Sequence, residues 1–277
     1  MGQFLDECIT SVLNESYPRL EYLIIDGGST DFTLDLIRRY TDRIAYWVSE
    51  PDSGQSAAIN KGFARATGDV VCWLNADDYL LPGALHSVAD AYRRRPDAPF
   101  YFGDGLRVAE DGTPKCGYFP GGVVRFNRDA LMLGLNYILQ PAAFINRRHL
   151  EAAGPLDETL HFGMDSDLWM RLAARGRPEP IQARLAATRE YSTTKTATGA
   201  FERIEELRQI SRRHTGLEMT PGALCYLFDE LLKHTSATPS MFSQEVTTTL
   251  RQLWAVTSQG FDRFGARPDG FPLDGGD

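Results

Sequence analysis

Strands alternate with amphipathic helices through most of the chain, polar or acidic residues close successive strands, and the C-terminal part reads as helix alone. These three observations predict an α/β protein: a mixed sheet flanked by helices, with a C-terminal helical appendage. Phe4, Leu5, Cys8, Ile9, Val12 and Leu13 recur at helical spacing until Tyr17-Pro18 ends the run. Leu20 to Ile25 is apolar and too short for a helix, so it predicts a strand; Asp26-Gly27-Gly28-Ser29 is then a turn, with Ser29 as cap of a helix around Leu34, Ile37 and Tyr40. The pattern repeats with a strand at Ile44 to Val48, a loop at Pro51 to Gly54, a helix from Ala57 to Ala66 and a buried strand from Val70 to Leu74. Alternation of this kind predicts a mostly parallel sheet at first.

A helix from Gly83 to Arg95 follows, its last turn carrying Arg93, Arg94 and Arg95, where cations complement the carbonyl end of the dipole. Phe100 to Asp104 predicts another strand. Asp111-Gly112, between Leu106 to Ala109 and Lys115 to Phe119, predicts a hairpin, where the sheet turns mixed. Leu131 to Leu139, Ala142 to Ile145 and Met164 to Ala174 read as helix, strand and helix. Thr220-Pro221 is a good cap pair for a helix through Leu232, and Phe242, Val246, Leu250, Leu253, Trp254, Phe261 and Phe264 fall near one helical face. The charges flanking that face are balanced rather than basic, which favours protein packing over a membrane surface. The divisions expected are a first α/β half at 1–110, a second half at 111–197, a helical appendage at 198–265 and a disordered tail at 266–277.

Composition narrows the function. Of 277 residues 43% are hydrophobic and 24% charged, an ordinary globular mix, and the formal charge of −8 argues against nucleic acid as a partner. Cys8, Cys72, Cys116 and Cys225 lack the paired spacing of zinc or redox sites and read as reduced, mostly buried thiols. No window approaches the roughly 18 apolar residues of a membrane span. A cytoplasmic protein is expected, with peripheral association at the inner membrane face as a further option.

Strand ends that converge on one crevice are where open α/β sheets bind ligands, and here they carry Asp26, Glu50 with Asp52, and Asn75 to Asp78. Asp77 and Asp78 are costly to place side by side unless a cation neutralises them, and a hard divalent ion with a diphosphate suits them; a helix cap before Pro82 is the structural alternative. Asp26 closes a Gly-Gly turn whose function and structure readings weigh equally. Asp165 and Asp167 begin a helix but point apart, so one faces the crevice as a candidate general base while the other caps the helix or pairs with Arg171.

Asp26-Gly27-Gly28-Ser29-Thr30-Asp31, Asn75-Ala76-Asp77-Asp78 and Met164 to Arg171, in this order and spacing, resemble the successive motifs of family 2 glycosyltransferases with the GT-A fold. Supporting stretches are Glu50-Pro51-Asp52, Asn60-Lys61-Gly62, Gln140-Pro141 and Gly154 to Asp157, so the likeness covers about residues 3 to 196. The resemblance implies inverting transfer from a nucleoside-diphosphate sugar, UDP-linked favoured, to a saccharide or lipid-linked acceptor in polysaccharide or glycoconjugate biosynthesis. By it Asp78 would ligate Mg2+ or Mn2+, Asp77 would hold the nucleotide or metal-bound water, Asp165 would be the base, Asp26 would sit at the nucleotide base, and Asn60 or Lys61 would lie near the donor phosphates or sugar. Three departures stand out. Family members open with a strand bearing a Pro-X-Tyr-Asn type turn, whereas this chain starts at the helix after it, which points to a late-assigned start codon or a shortened chain and predicts unpaired neighbouring strands. An acidic pair common in relatives is Asp26-Gly27 here, and a His after the catalytic helix is Tyr191. The alternative function is a degenerate protein of this fold that binds or scaffolds without catalysis.

Overall fold

The computed structural model describes residues 2–237. The elements run α1 (Gly2–Asn14), β1 (Leu23–Asp26), α2 (Thr33–Arg39), β2 (Tyr46–Ser49), α3 (Gln55–Arg65), β3 (Val70–Val71), β4 (Tyr79–Leu80), α4 (Ala84–Arg94), β5 (Phe100–Val108) and β6 (Pro114–Gly117). They continue as α5 (Arg128–Met132), β7 (Ala143–Asn146), α6 (Arg147–Ala153), α7 (Met164–Arg175), β8 (Glu179–Arg189), α8 (Lys195–Thr198), α9 (Ala200–Thr215) and α10 (Pro221–Ala237). Within the described chain, residues 2–126 and 138–191 form one compact unit, and 127–137 with 192–237 form another.

The first unit holds both sheets. β1 and β2 pair in parallel, Leu23 opposite Tyr46 through Asp26 opposite Ser49. The larger sheet has the order β3-β7-β5-β8-β4, with β6 added to β5 as the arm of the hairpin. Only β5 with β8 is parallel there; β3 with β7, β5 with β7, β4 with β8 and β5 with β6 are antiparallel. The mostly parallel expectation therefore holds for β1 and β2 and gives way to a mixed sheet, in which β7 and β4 run against their neighbours and β6 returns on β5 as a hairpin. β1 and β3 each pair on one side among the described residues.

The helices cover the sheets with apolar stripes. α1 buries Phe4, Leu5, Cys8, Ile9, Val12 and Leu13, the face read from their spacing. Leu5, Ile9 and Leu13 join Ile24, Leu36, Ile37 and Ile44 in a core between α1, α2 and the first sheet. A second core centres on Phe100, Phe102, Ile145, Leu168 and Trp169, all fully buried.

Three elements differ from expectation. The strand at 70–74 is only Val70–Val71, because the carbonyl of Trp73 turns from the ladder to accept from the Gln140 side chain (2.8 Å). The helix at 131–139 is instead Arg128–Met132: Asn127 caps it by accepting from the Ala130 amide (3.0 Å), and Gly134, at φ +85°, ends it. Ser29 does not cap α2; its hydroxyl goes to Asp26, and Asp31 accepts from the Thr33 amide instead (3.0 Å). β4 and α6 were not anticipated.

The second unit packs α9 against α10 and α5. Thr220 caps α10, accepting from the Ala223 amide (3.4 Å). Gly222 leaves room for the main chain at Gly134, and its amide donates to Leu133 (3.0 Å). The apolar face from Phe242 to Phe264 and the tail at 266–277 lie outside the described residues. Of the four free cysteines Cys8 and Cys225 are buried, so the mostly buried expectation holds for half of them. No described helix is long and apolar enough to cross a membrane.

Candidate active site

All six residues singled out from the sequence lie in the first unit. Asp26 ends β1, and the turn after it needs glycine: Gly28 has φ +88°. The Asp26 carboxylate ties this turn together, accepting from the amides of Gly28 (3.1 Å) and Ser29 (2.9 Å) and the hydroxyls of Ser29 (2.5 Å) and Ser49 (2.6 Å). Partial burial opposes its ionisation, yet these hydrogen bonds outweigh it and hold the carboxyl below its ordinary value.

Beyond the break in β3, Asn75 to Asp78 form a tight turn closed by the Asp78 amide on the Asn75 carbonyl (3.1 Å). The Asn75 side chain is the hub. Its amide donates to Asp78 Oδ2 (3.0 Å) and Gln140 Oε1 (3.0 Å), while its carbonyl accepts from Gln55 (2.8 Å). Asp78 is buried, and its Oδ1 faces the Arg189 amide (3.3 Å). Asp77 is half-buried and accepts from the Tyr191 hydroxyl (2.9 Å). Desolvation first and the Asp77 charge second push the Asp78 carboxyl up to about 7. Burial and the bond to Asp77 raise the Tyr191 phenol, which stays a donor.

Arg189 underpins this turn and was not foreseen. Its guanidinium is buried, donates to the carbonyls of Asp77 (3.1 Å) and Glu110 (2.8 Å), bonds Glu7 of α1, and lies 4.6 Å from the centre of the Phe4 ring. A charge two residues after the apolar run Leu185-Ala186-Ala187, at the end of a strand, was the available signal. Gln140 and Asn75 belonged to recognised motifs, but their pairing across 65 residues carries no sequence mark.

Asp165 opens α7, half-buried, with Oδ1 accepting from the Ser166 amide (2.7 Å). Asp167 is buried and takes the structural part, pairing with Arg171 (2.7 Å), which also donates to the carbonyls of Ala153, Gly154 and Pro155. One turn after Asp165, Trp169 stacks on Trp73 (5.6 Å, 13°), which fixes α7 against the segment leading to Asn75. Lys61 pairs with Glu50 at 2.6 Å on the surface. Asn60 is occupied: its amide donates to the Leu156 carbonyl and Glu158 (both 2.9 Å), and its oxygen accepts from the Leu156 amide (2.9 Å).

Among the described residues no three His, Cys, Asp or Glu side chains cluster as a ready metal site. The acidic turn still suits a hard cation that takes most ligands from water and phosphate, since such ions often use one or two protein carboxylates. Asp78 shows the fit: burial and the Asp77 charge disfavour its anion, and a nearby dication would restore it.

The sequence profile described as Glycosyl transferase family 2 matches residues 2–139. An uncharacterised glycosyltransferase of Mycobacterium tuberculosis is 26% identical over 219 residues, 76% of this chain and 80% of that protein. Among solved structures, S. aureus TarS 1-349 in complex with UDP-GlcNAc superposes with a TM-score of 0.61 at 17% identity, covering 96% of this chain and 78% of that one. The mannosyltransferase PcManGT from Pyrobaculum calidifontis, in complex with GDP-Man and Mn2+, gives 0.55 at 19% identity over 96% and 80%. The profile spans the first two acidic motifs, the third lies beyond it, and the chain belongs to glycosyl transferase family 2, with the GT-A fold.

Proposed function

We propose that this protein transfers a sugar from a nucleoside-diphosphate donor, UDP-linked by preference, to an acceptor hydroxyl in a single displacement with inversion. The observation that carries this reading is the Asn75–Asp78 turn, a buried acid beside a half-buried one, braced by Asn75, Tyr191 and Arg189 in a family whose relatives of the same fold hold UDP-GlcNAc or GDP-Man with Mn2+. Asp78, with Asp77 beside it, would hold Mg2+ or Mn2+, which when bound supplies charge to a departing diphosphate. Tyr191 keeps the Asp77 carboxylate oriented, and Asn75 does the same for Asp78. Asp26 shapes the turn against which the nucleotide base would lie, and Lys61 stands on the neighbouring surface as a cation for phosphate or sugar. Asn60 acts at one remove, by holding the loop at Leu156 to α3.

Asp165 takes the acceptor proton in this reading. General-base help of this kind is worth about a hundredfold to ten-thousandfold. The domain reading goes with it: donor binding at 1–110, acceptor binding and base at 111–197. A saccharide or lipid-linked acceptor at the cytoplasmic face of a membrane fits the reaction class. The test is turnover of a panel of nucleotide sugars by wild type and Asp165→Asn. The variant should bind donor as wild type does and lose at least about a hundredfold in kcat, and proton NMR should show an inverted anomeric centre in the product. Unchanged kcat in the variant would remove Asp165 from the mechanism, and a retained anomer would remove single displacement.

A further inference from the structure

We propose that Asp52 reads the nucleobase of the donor, its free carboxylate oxygen accepting the ring N–H; this rests on the nucleotide-sugar reading above. β1 and β2 are parallel and in register, so the turn after Asp26 and the loop after Ser49 leave the sheet side by side. The Glu50 amide donates to the Asp26 carbonyl (3.0 Å), and Gly28 lies against Pro51. Between them Gly27 has no side chain, and a Cβ built there would overlap the Asp52 carboxylate. Asp52 therefore occupies the volume that a residue with a side chain at position 27 would claim.

The two neighbouring carboxylates are not equally available. Asp26 spends its oxygens on its own turn: three donors converge on Oδ2 and the Ser29 hydroxyl takes Oδ1. Asp52 Oδ1 accepts from the Gly54 amide (2.9 Å), whereas Oδ2, the oxygen against Gly27, accepts from no donor among the described residues, and the residue is exposed. An ionised carboxylate only accepts, so the partner it selects is an N–H or O–H. Uracil offers a single ring N–H, at N3, and its capture by Oδ2 makes Asp52 a residue that sets nucleotide preference. Asp26 holds the shape of the pocket and Asp52 does the reading.

The probe is UDP against N3-methyl-UDP, which lacks that N–H, with dissociation constants measured by calorimetry. Methylation should weaken wild type by about tenfold or more, the loss usual for a hydrogen bond to a charged group. In Asp52→Ala, an exposed loop change, the same methylation should cost less than about twofold. Gly27→Asp combined with Asp52→Ala should bring the penalty back, since Gly27 has no positive φ to forbid a side chain. An equal methylation penalty in wild type and Asp52→Ala overturns the proposal while leaving the transferase reading standing. Failure of wild type to bind UDP at all overturns both.

Discussion

Replacing Arg189 by Met tests how the acidic turn is held. Arg189 is 5% exposed, and its guanidinium donates to main-chain oxygens of Asp77 and Glu110 while pairing with Glu7. Its partner is different: the Glu7 side chain is 52% exposed, so water takes over when the pair is broken from that side. Loss of Arg189 leaves these part-buried main-chain oxygens without their donor and empties a buried side-chain position, which costs about 1–3 kcal/mol. Glu7→Gln removes only a solvent-screened attraction and costs about 1 kcal/mol or less. Urea unfolding followed by tryptophan fluorescence reads this unit, because Trp73 and Trp169 are buried and stacked within it. The midpoint should fall far more for Arg189→Met than for Glu7→Gln, at unchanged slope. Equal losses in the two variants, or a loss below about 1 kcal/mol for Arg189→Met, would refute the view that main-chain acceptors carry the energy.

Other outcomes follow from the same geometry. Asn60→Ala should destabilise by about 1–3 kcal/mol, and Asn60→Asp by no less, because an aspartate cannot donate to the Leu156 carbonyl and repels Glu158; chemical denaturation checks both. Asp26 has its folded pKa below the unfolded value of 3.8, so its contribution is present above that pH and is lost as acid titrates the folded form. Ser49→Ala weakens the cause of that depression, and the acid-unfolding midpoint should move to higher pH, as circular dichroism would show. Gly222→Ala forces a methyl into the main chain at Gly134 and should cost about 1–3 kcal/mol, read as faster amide exchange in α9 and α10.

Much of this molecule is legible in its sequence because local chemistry decides it. The α1 stripe, the Asp26 turn, the hairpin at Asp111-Gly112 and the cap at Thr220 depend on neighbours a few residues away, and each forms where the residues place it. The acidic turn was likewise marked by two carboxylates after an apolar run. What stayed hidden depends on distant partners. Gln140 stops β3 from 67 residues away, and Arg189 reaches Glu7 across 182. Gly134 ends α5 inside an apolar stretch whose spacing mimics a longer helix. The division of labour between Asp165 and Asp167 was open in the sequence; burial beside Arg171 commits Asp167 to holding α7, which leaves Asp165 as the half-exposed acid.

In the proposed function donor and cation meet at the acidic turn, and titration of UDP into the protein with and without Mn2+ tests this most directly. Wild type should bind UDP at least about tenfold more tightly with the cation present, and Asp78→Asn should lose that gain while remaining folded. Equal UDP affinity with and without Mn2+, or a cation effect that survives in Asp78→Asn, would contradict the assignment of the turn.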